Sequence, residues 1–71
     1  MTYLQANSFL MTRAGLALDC RLFTALQLQG LARTAAAAQH ILILKHSGLL
    51  STLSQISIAD AGGRFVVFDF E

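Results

Sequence analysis

Gln55–Glu71 reads QISIADAGGRFVVFDFE, and the reading of that stretch decides the fold. In RFVVFDF, Val66, Phe68 and Phe70 share one side of an extended chain, while Phe65, Val67 and Asp69 share the other, which is strand periodicity. Gly62 and Gly63 supply the positive-φ positions that a tight turn needs, and Asp60 is suited to start it. The expectation is a C-terminal β-hairpin whose first strand begins near Leu50 and runs through Ile56 and Ile58. Leu49, Leu53 and Ile56 also fall at helical spacing, so a helix is the competing reading of this segment.

Working back from the hairpin, AAAAQHILILKH, from Ala35 to His46, has high helical propensity in its alanine half, and Ser47-Gly48 forms a natural stop. Thr34 is its candidate N-cap. CRLFTALQLQ, from Cys20 to Gln29, sets Leu22, Ala25, Leu26 and Gln29 on adjoining turns behind Asp19 as a cap, an amphipathic helix of about three turns. Gly30-Leu31 then makes a tight connection between the two helices. TYLQANSFLMTR, from Thr2 to Arg13, suits a short first helix ended by Gly15, and GLALD is a short strand or an extended entry to the next helix. The sequence holds no proline, and no linker or internal repeat is evident. The expected class is therefore α+β, three short helices followed by a C-terminal β-hairpin, in a single domain over residues 1–71.

Composition bounds the possibilities further. A chain of 71 residues buries a smaller fraction of its surface than a larger domain does, so it ordinarily needs a staple. The single cysteine, Cys20, excludes an intrachain disulfide and a four-cysteine zinc site. Apolar residues make up 55% of the chain and charged residues 13%, which predicts apolar surface left for a second copy or a larger protein partner. A net charge of +1 gives little long-range attraction to phosphate, so any basic surface must be local. The apolar runs are far shorter than a membrane span and the N-terminus lacks the order of a signal peptide, so the expected setting is cytoplasmic, with no membrane.

No constellation of side chains marks an enzyme. His40 and His46 fall on different sides of a helix, the four acids are spread over a cap, a turn and the terminus, and Cys20 reads as a small buried hydrophobe. Gly62-Gly63 is not a phosphate loop, because no Lys-Ser or Lys-Thr follows and no helix starts there. The expectation is no catalytic residues, no metal and no cofactor.

The order of helix, helix, tight turn, helix and hairpin resembles a winged helix-turn-helix domain. The resemblance lies in ALQLQGLART, similar to a second helix and its turn, in LKHSGLL, similar to the junction leading from a recognition helix into a wing strand, and in DAGGRFVVF, similar to a wing tip with an arginine at its base. It implies a dimeric DNA-binding regulator of transcription that reads double-stranded DNA, with Arg33, Thr34, Gln39, His40 and Lys45 at the major groove or its phosphates and Arg64 at a phosphate or the minor groove beside the wing. A second reading stands beside it: a non-enzymatic protein-binding module, such as an inhibitor or adaptor of the size that phages and mobile elements encode, docking onto a larger partner. The alanine run Ala35–Ala38 would then be a seam for another helix, and RFVVFDF an edge for strand pairing.

Overall fold

The three strands are all parallel. In the computed structural model, which describes all 71 residues, β1 (Leu16–Asp19), β2 (Leu42–Lys45) and β3 (Val66–Asp69) form one sheet in the order β1-β2-β3. Leu16 pairs with Leu42 and Leu42 with Val66, and the register continues to Asp19, Lys45 and Asp69. Parallel neighbours need a crossover, and here each crossover carries a helix: α2 (Ala25–Ala38) between β1 and β2, and α3 (Thr52–Gly62) between β2 and β3. A third helix, α1 (Tyr3–Thr12), precedes β1. The chain is thus mixed α and β, with three helices and three strands.

The C-terminal hairpin is not formed. The segment expected as its first strand, from Leu50 through Ile58, lies mostly within α3, and the second run, Val66–Asp69, pairs with β2 instead. Ser51 supplies the reason, since its Oγ accepts from the Ser54 amide at 3.1 Å and so caps a helix where a strand was expected. Gly62 is not a turn residue with positive φ; it closes α3 at φ −102°. A Cβ there would collide with Val66 Cγ2 and stand 3.1 Å from Ala32 Cβ, so Gly62 permits the close approach of α3 to both β3 and α2. Only Gly63 has the expected positive φ, at 54°.

Two further expectations are corrected in the middle of the chain. Gly30 is not a turn between helices but an interior residue of α2, and Thr34 lies in the same helix rather than at its cap. Thr24 is the actual N-cap, forming a reciprocal pair with Gln27. The helix expected over Ala35–His46 breaks at Gln39, whose left-handed φ of 60° ends α2, and the apolar run from Leu42 becomes the central strand. A short continuous apolar run suits a central parallel strand, and here Leu42 and Leu44 are buried beneath the helices while Ile43 stands on the opposite face, half-buried. Helix α1 stands as expected and GLALD takes the strand of its two readings, while the helix expected from Cys20 behind Asp19 begins only at Ala25, and Asp19 accepts from the Arg21 amide to cap a 3₁₀ turn, Cys20–Leu22.

Both crossover helices lie on one face of the sheet, packed against each other, with α1 against α2. Crossovers of the same hand in a 1-2-3 strand order give that arrangement. Leu18, Leu42, Leu44 and Val66 point into this layer and meet Leu10, Leu28, Leu31 and Ile58 from the helices. On the other face stand Ala17, Ile43 and Val67, and beyond them Asp19, Lys45 and Asp69. That face has no covering layer, which accounts for the exposure of Ala17, Val67 and Lys45. No helix is long and apolar enough to cross a membrane.

Candidate docking surface

The structure divides the six residues that the sequence singled out for contact with DNA. Arg33 is exposed midway along α2, but its neighbour Thr34 turns inward, its hydroxyl 2.5 Å from Asn7 Oδ1 and 3.1 Å from the Gly30 carbonyl. His40 Nδ1 donates to the Leu10 carbonyl, fastening the end of α1 to the loop before β2. Gln39 is exposed at the end of α2, and Arg64 lies just before β3 with its guanidinium 5.1 Å from the centre of the Phe65 ring. These positions lie on α2 or at the edge where the strands begin. Lys45 is at the opposite edge, on the bare sheet face, in an ion pair with Asp69 at 3.2 Å. Thr34 and His40 hold elements together, and no single surface contains all six.

The edge where the strands end is different. There the chain repeats itself: a strand leads into a 3₁₀ turn (Cys20–Leu22, then Ser47–Leu49), then into an N-cap (Thr24, then Ser51), then into a helix. From the 3₁₀ turn onward the two units are offset by 27 residues, so that Leu22, Thr24, Leu26 and Leu31 of the first correspond to Leu49, Ser51, Leu53 and Ile58 of the second. Leu31 and Ile58 are buried as equivalent core residues. Leu22, Leu26, Leu49 and Leu53 are all on the surface, between 69% and 78% exposed, and Phe70, which follows β3 at the same edge, is 63% exposed. One extra residue, His46, in left-handed conformation at φ 59°, separates the strand from the 3₁₀ turn in the second unit.

Several contacts fix this edge. Ser47 is fully buried and its Oγ donates to the Asp69 carbonyl at 3.0 Å, while the His46 amide donates to the Glu71 carbonyl at 3.1 Å. Gln55 Nε2 donates to the carbonyls of Ser47 and Leu50 at 2.9 and 3.2 Å, holding the second 3₁₀ turn against α3. Phe68 and Phe70 have their ring centres 6.4 Å apart in a near-parallel stack. A Cβ at Gly48 would stand 3.6 Å from the Phe70 ring, in ordinary contact, so that ring lies directly beside the second turn.

Two ion pairs stand at this edge, Arg21 with Asp19 and Lys45 with Asp69. The Arg21 side chain, 2.7 Å away, and then the Arg21 backbone amide hold the Asp19 carboxyl down to about 2. The Glu71 amide and then Lys45 lower Asp69. Burial, followed by the charge of Asp19, pushes the Cys20 thiol up, so it is a poor source of thiolate. No three His, Cys, Asp or Glu side chains converge on a metal-sized space. The surface clefts elsewhere, one along α1 at Leu4, Ser8 and Phe9 and another between Met11 and Ala37, are open hollows rather than enclosed sites.

Compared with known proteins, the chain matches no family model, no curated protein and no solved structure. The docking surface therefore has to be judged on its own physical chemistry. The sequence reading placed these leucines only as apolar helix positions and none as a binding residue, although RLFTAL (Arg21–Leu26) and GLLSTL (Gly48–Leu53) carry the signal. In both, a leucine and an apolar residue precede a hydroxyl cap, and a second leucine follows two positions after it.

Proposed function

We propose that the chain is a small non-enzymatic protein-binding module, acting through the leucines at the edge where its strands end. The observation that carries this reading is the presence of Leu26 and Leu53 at the second position of α2 and α3, largely exposed, in helices whose first turns contain no acid. An acidic residue at such a position would interact favourably with the helix dipole by about 0.3–1 kcal/mol. Two adjacent helices thus carry an apolar side chain where stability alone favours a carboxylate. A loose fold does not account for the exposed leucines, because the accessible surface, 4253 Å², is about the 4,300 Å² expected of a compact protein of 7.7 kDa. Charges that are paired at the rim and absent from the centre also suit a protein interface better than a phosphate backbone.

The test is the double variant Leu26→Glu/Leu53→Glu. Its melting temperature is expected to stay unchanged or rise, while a protein recovered with the wild-type chain at one-to-one stoichiometry is lost. Binding of random-sequence duplex DNA at low salt would refute the docking reading if Arg33→Ala and Arg64→Ala abolished it and the leucine variant left it intact.

A further inference from the structure

We infer that β3 is a self-association edge, on which a second copy of the chain pairs antiparallel about a two-fold axis near Val67; apart from Phe70, this surface is separate from the leucines. β3 ends the sheet, and no strand lies beyond it. The Leu16 amide donates to the Ile41 carbonyl at 2.9 Å, so Ile41 and Ile43 address β1 while Leu42 and Leu44 address β3. In a parallel ladder Val67 then answers those two leucines, and Val66 and Phe68 turn their peptide groups outward. The Val66 amide is held by the Gly63 carbonyl, which leaves the Val66 carbonyl and both groups of Phe68 for another chain. An antiparallel copy uses them reciprocally, the Phe68 amide of each chain donating to the Val66 carbonyl of the other.

Charge selects a second copy as the occupant. In RFVVFDFE, Arg64 stands at one end of the edge and Glu71 at the other, both exposed and in neither of the chain's two ion pairs. With Val67 at the axis, Val66 lies opposite Phe68 of the other chain, a β-branched residue against an aromatic one, and Arg64 lies opposite Phe70 with Glu71 next to it. Each cation thus meets the other copy's unpaired carboxylate, and the two-fold makes the contact twice. Parallel pairing would set like charges together. The other edge has no such match, because Asp19 is already held by Arg21 at 2.7 Å and the one exposed residue of β1 is Ala17. The repeat places α3 accordingly: α2 turns Ala32 toward α3 at Gly62, and the counterpart of Ala32 at the 27-residue offset is Ala59. α3 therefore turns Ala59, and with it Ile56, 52% exposed, toward the open end.

The bare sheet face is the other seat for a copy. Its three strands of four residues offer about 14 by 13 Å. A two-fold stack of two such faces lays the row Asp19, Lys45 and Asp69 over itself, like charge on like, or over Ile41, and so desolvates charges without giving them new partners. The edge strand with the flank of α3 covers roughly 16 by 20 Å, short of the about 800 Å² of a standard partner surface. The dimer accordingly belongs to the weak class, its geometry fixed by main-chain bonds and charge rather than by area.

Sedimentation equilibrium from micromolar to millimolar concentration tests this. The wild-type chain is expected to dimerise within that range, with amide exchange at Phe68 slowing as the dimer fills. Arg64→Glu and Glu71→Arg, both at exposed positions, are each expected to weaken the dimer at least tenfold, and the charge-swapped Arg64→Glu/Glu71→Arg chain is expected to recover it. A chain that stays monomeric at millimolar concentration, or a dimer indifferent to both single reversals, would overturn the edge. A dimer that ignores the reversals but dissociates in Ile43→Lys would make the bare sheet face the seat instead, and one that ignores them but dissociates in Leu26→Glu/Leu53→Glu would make it the leucine surface; either result overturns the edge.

Discussion

Replacing Gly62 with alanine tests the packing that separates this fold from a hairpin. The added methyl would overlap Val66 Cγ2 and stand 3.1 Å from Ala32 Cβ, where carbon atoms prefer about 3.5–4.0 Å. Both neighbours are buried, one on β3 and one on α2, so relief requires α3 to move away from both or Val66 to leave its rotamer. Overpacking of this kind costs about 1–3 kcal/mol. The gain in helical propensity offsets less than about 1 kcal/mol, because Gly62 is the last residue of its helix. The net loss is about 1–2 kcal/mol, a fall in melting temperature of roughly 5–15 °C for a domain of this size. The assay is thermal and urea denaturation of Gly62→Ala, Val66→Ala and the double variant. Removing the valine methyls relieves the overlap with Cγ2 and leaves the 3.1 Å approach to Ala32 Cβ, so Gly62→Ala is expected to cost less in the Val66→Ala background than in the wild type, a coupling of about 1 kcal/mol. Additive losses, or a stabilised Gly62→Ala protein, would refute the packing argument.

Two further outcomes are expected. Gly30→Ala sets the helix-propensity gain of about 1 kcal/mol against a Cβ placed 2.6 Å from the Tyr3 hydroxyl; with Tyr3→Phe the combined change should stabilise the protein in urea denaturation, whereas a glycine in a left-handed turn would make every such variant less stable. Asp19 and Asp69 are both more acidic in the folded chain than in the unfolded one, so their contribution is complete above the ordinary aspartate value near 4 and is lost as pH falls, for Asp19 through about 2. Acid titration followed by circular dichroism should show this loss shrink in Asp19→Asn.

The local signals were legible in the sequence where an element satisfies its own needs. Helix α1 lies where its own residues place it, with Thr2 and Gln5 forming its capping box, although Gly15 serves the close approach of the Ile41 carbonyl rather than the helix end. The apolar run from Ile41 to Leu44 was harder to read, because a continuous apolar stretch suits a buried helix and a buried strand equally well. Its strand character comes from its neighbours, β1 and β3, which are distant in sequence. In the segment of α3 the competing helical reading gave the right element but the wrong face, and the preferred strand is not formed. Leu49, Leu53 and Ile56 have helical spacing, but all three face solvent, and the helix is held through Leu50, Ile58 and Ala61 with Gly62. The doubled glycine looked like a turn because glycine is permissive in φ, whereas at Gly62 the decisive property is the absence of a Cβ. The candidate DNA-contacting residues were chosen on an arrangement of helices that the chain does not adopt, so the choice could not anticipate that Thr34 and His40 would bind other parts of the fold.

The parallel register also constrains how the chain reaches its native state. Leu16 meets a partner 26 residues later at Leu42, and Leu42 meets Val66 after another 24. No two strands can zip together from a neighbouring bend, so loop-closure entropy must be overcome before any ladder hydrogen bond forms. Helical segments are then the natural first structure, and sheet assembly waits on their collision. Refolding should accordingly be slower than in a helical bundle of equal length, with its barrier sensitive to substitutions where α2 and α3 touch.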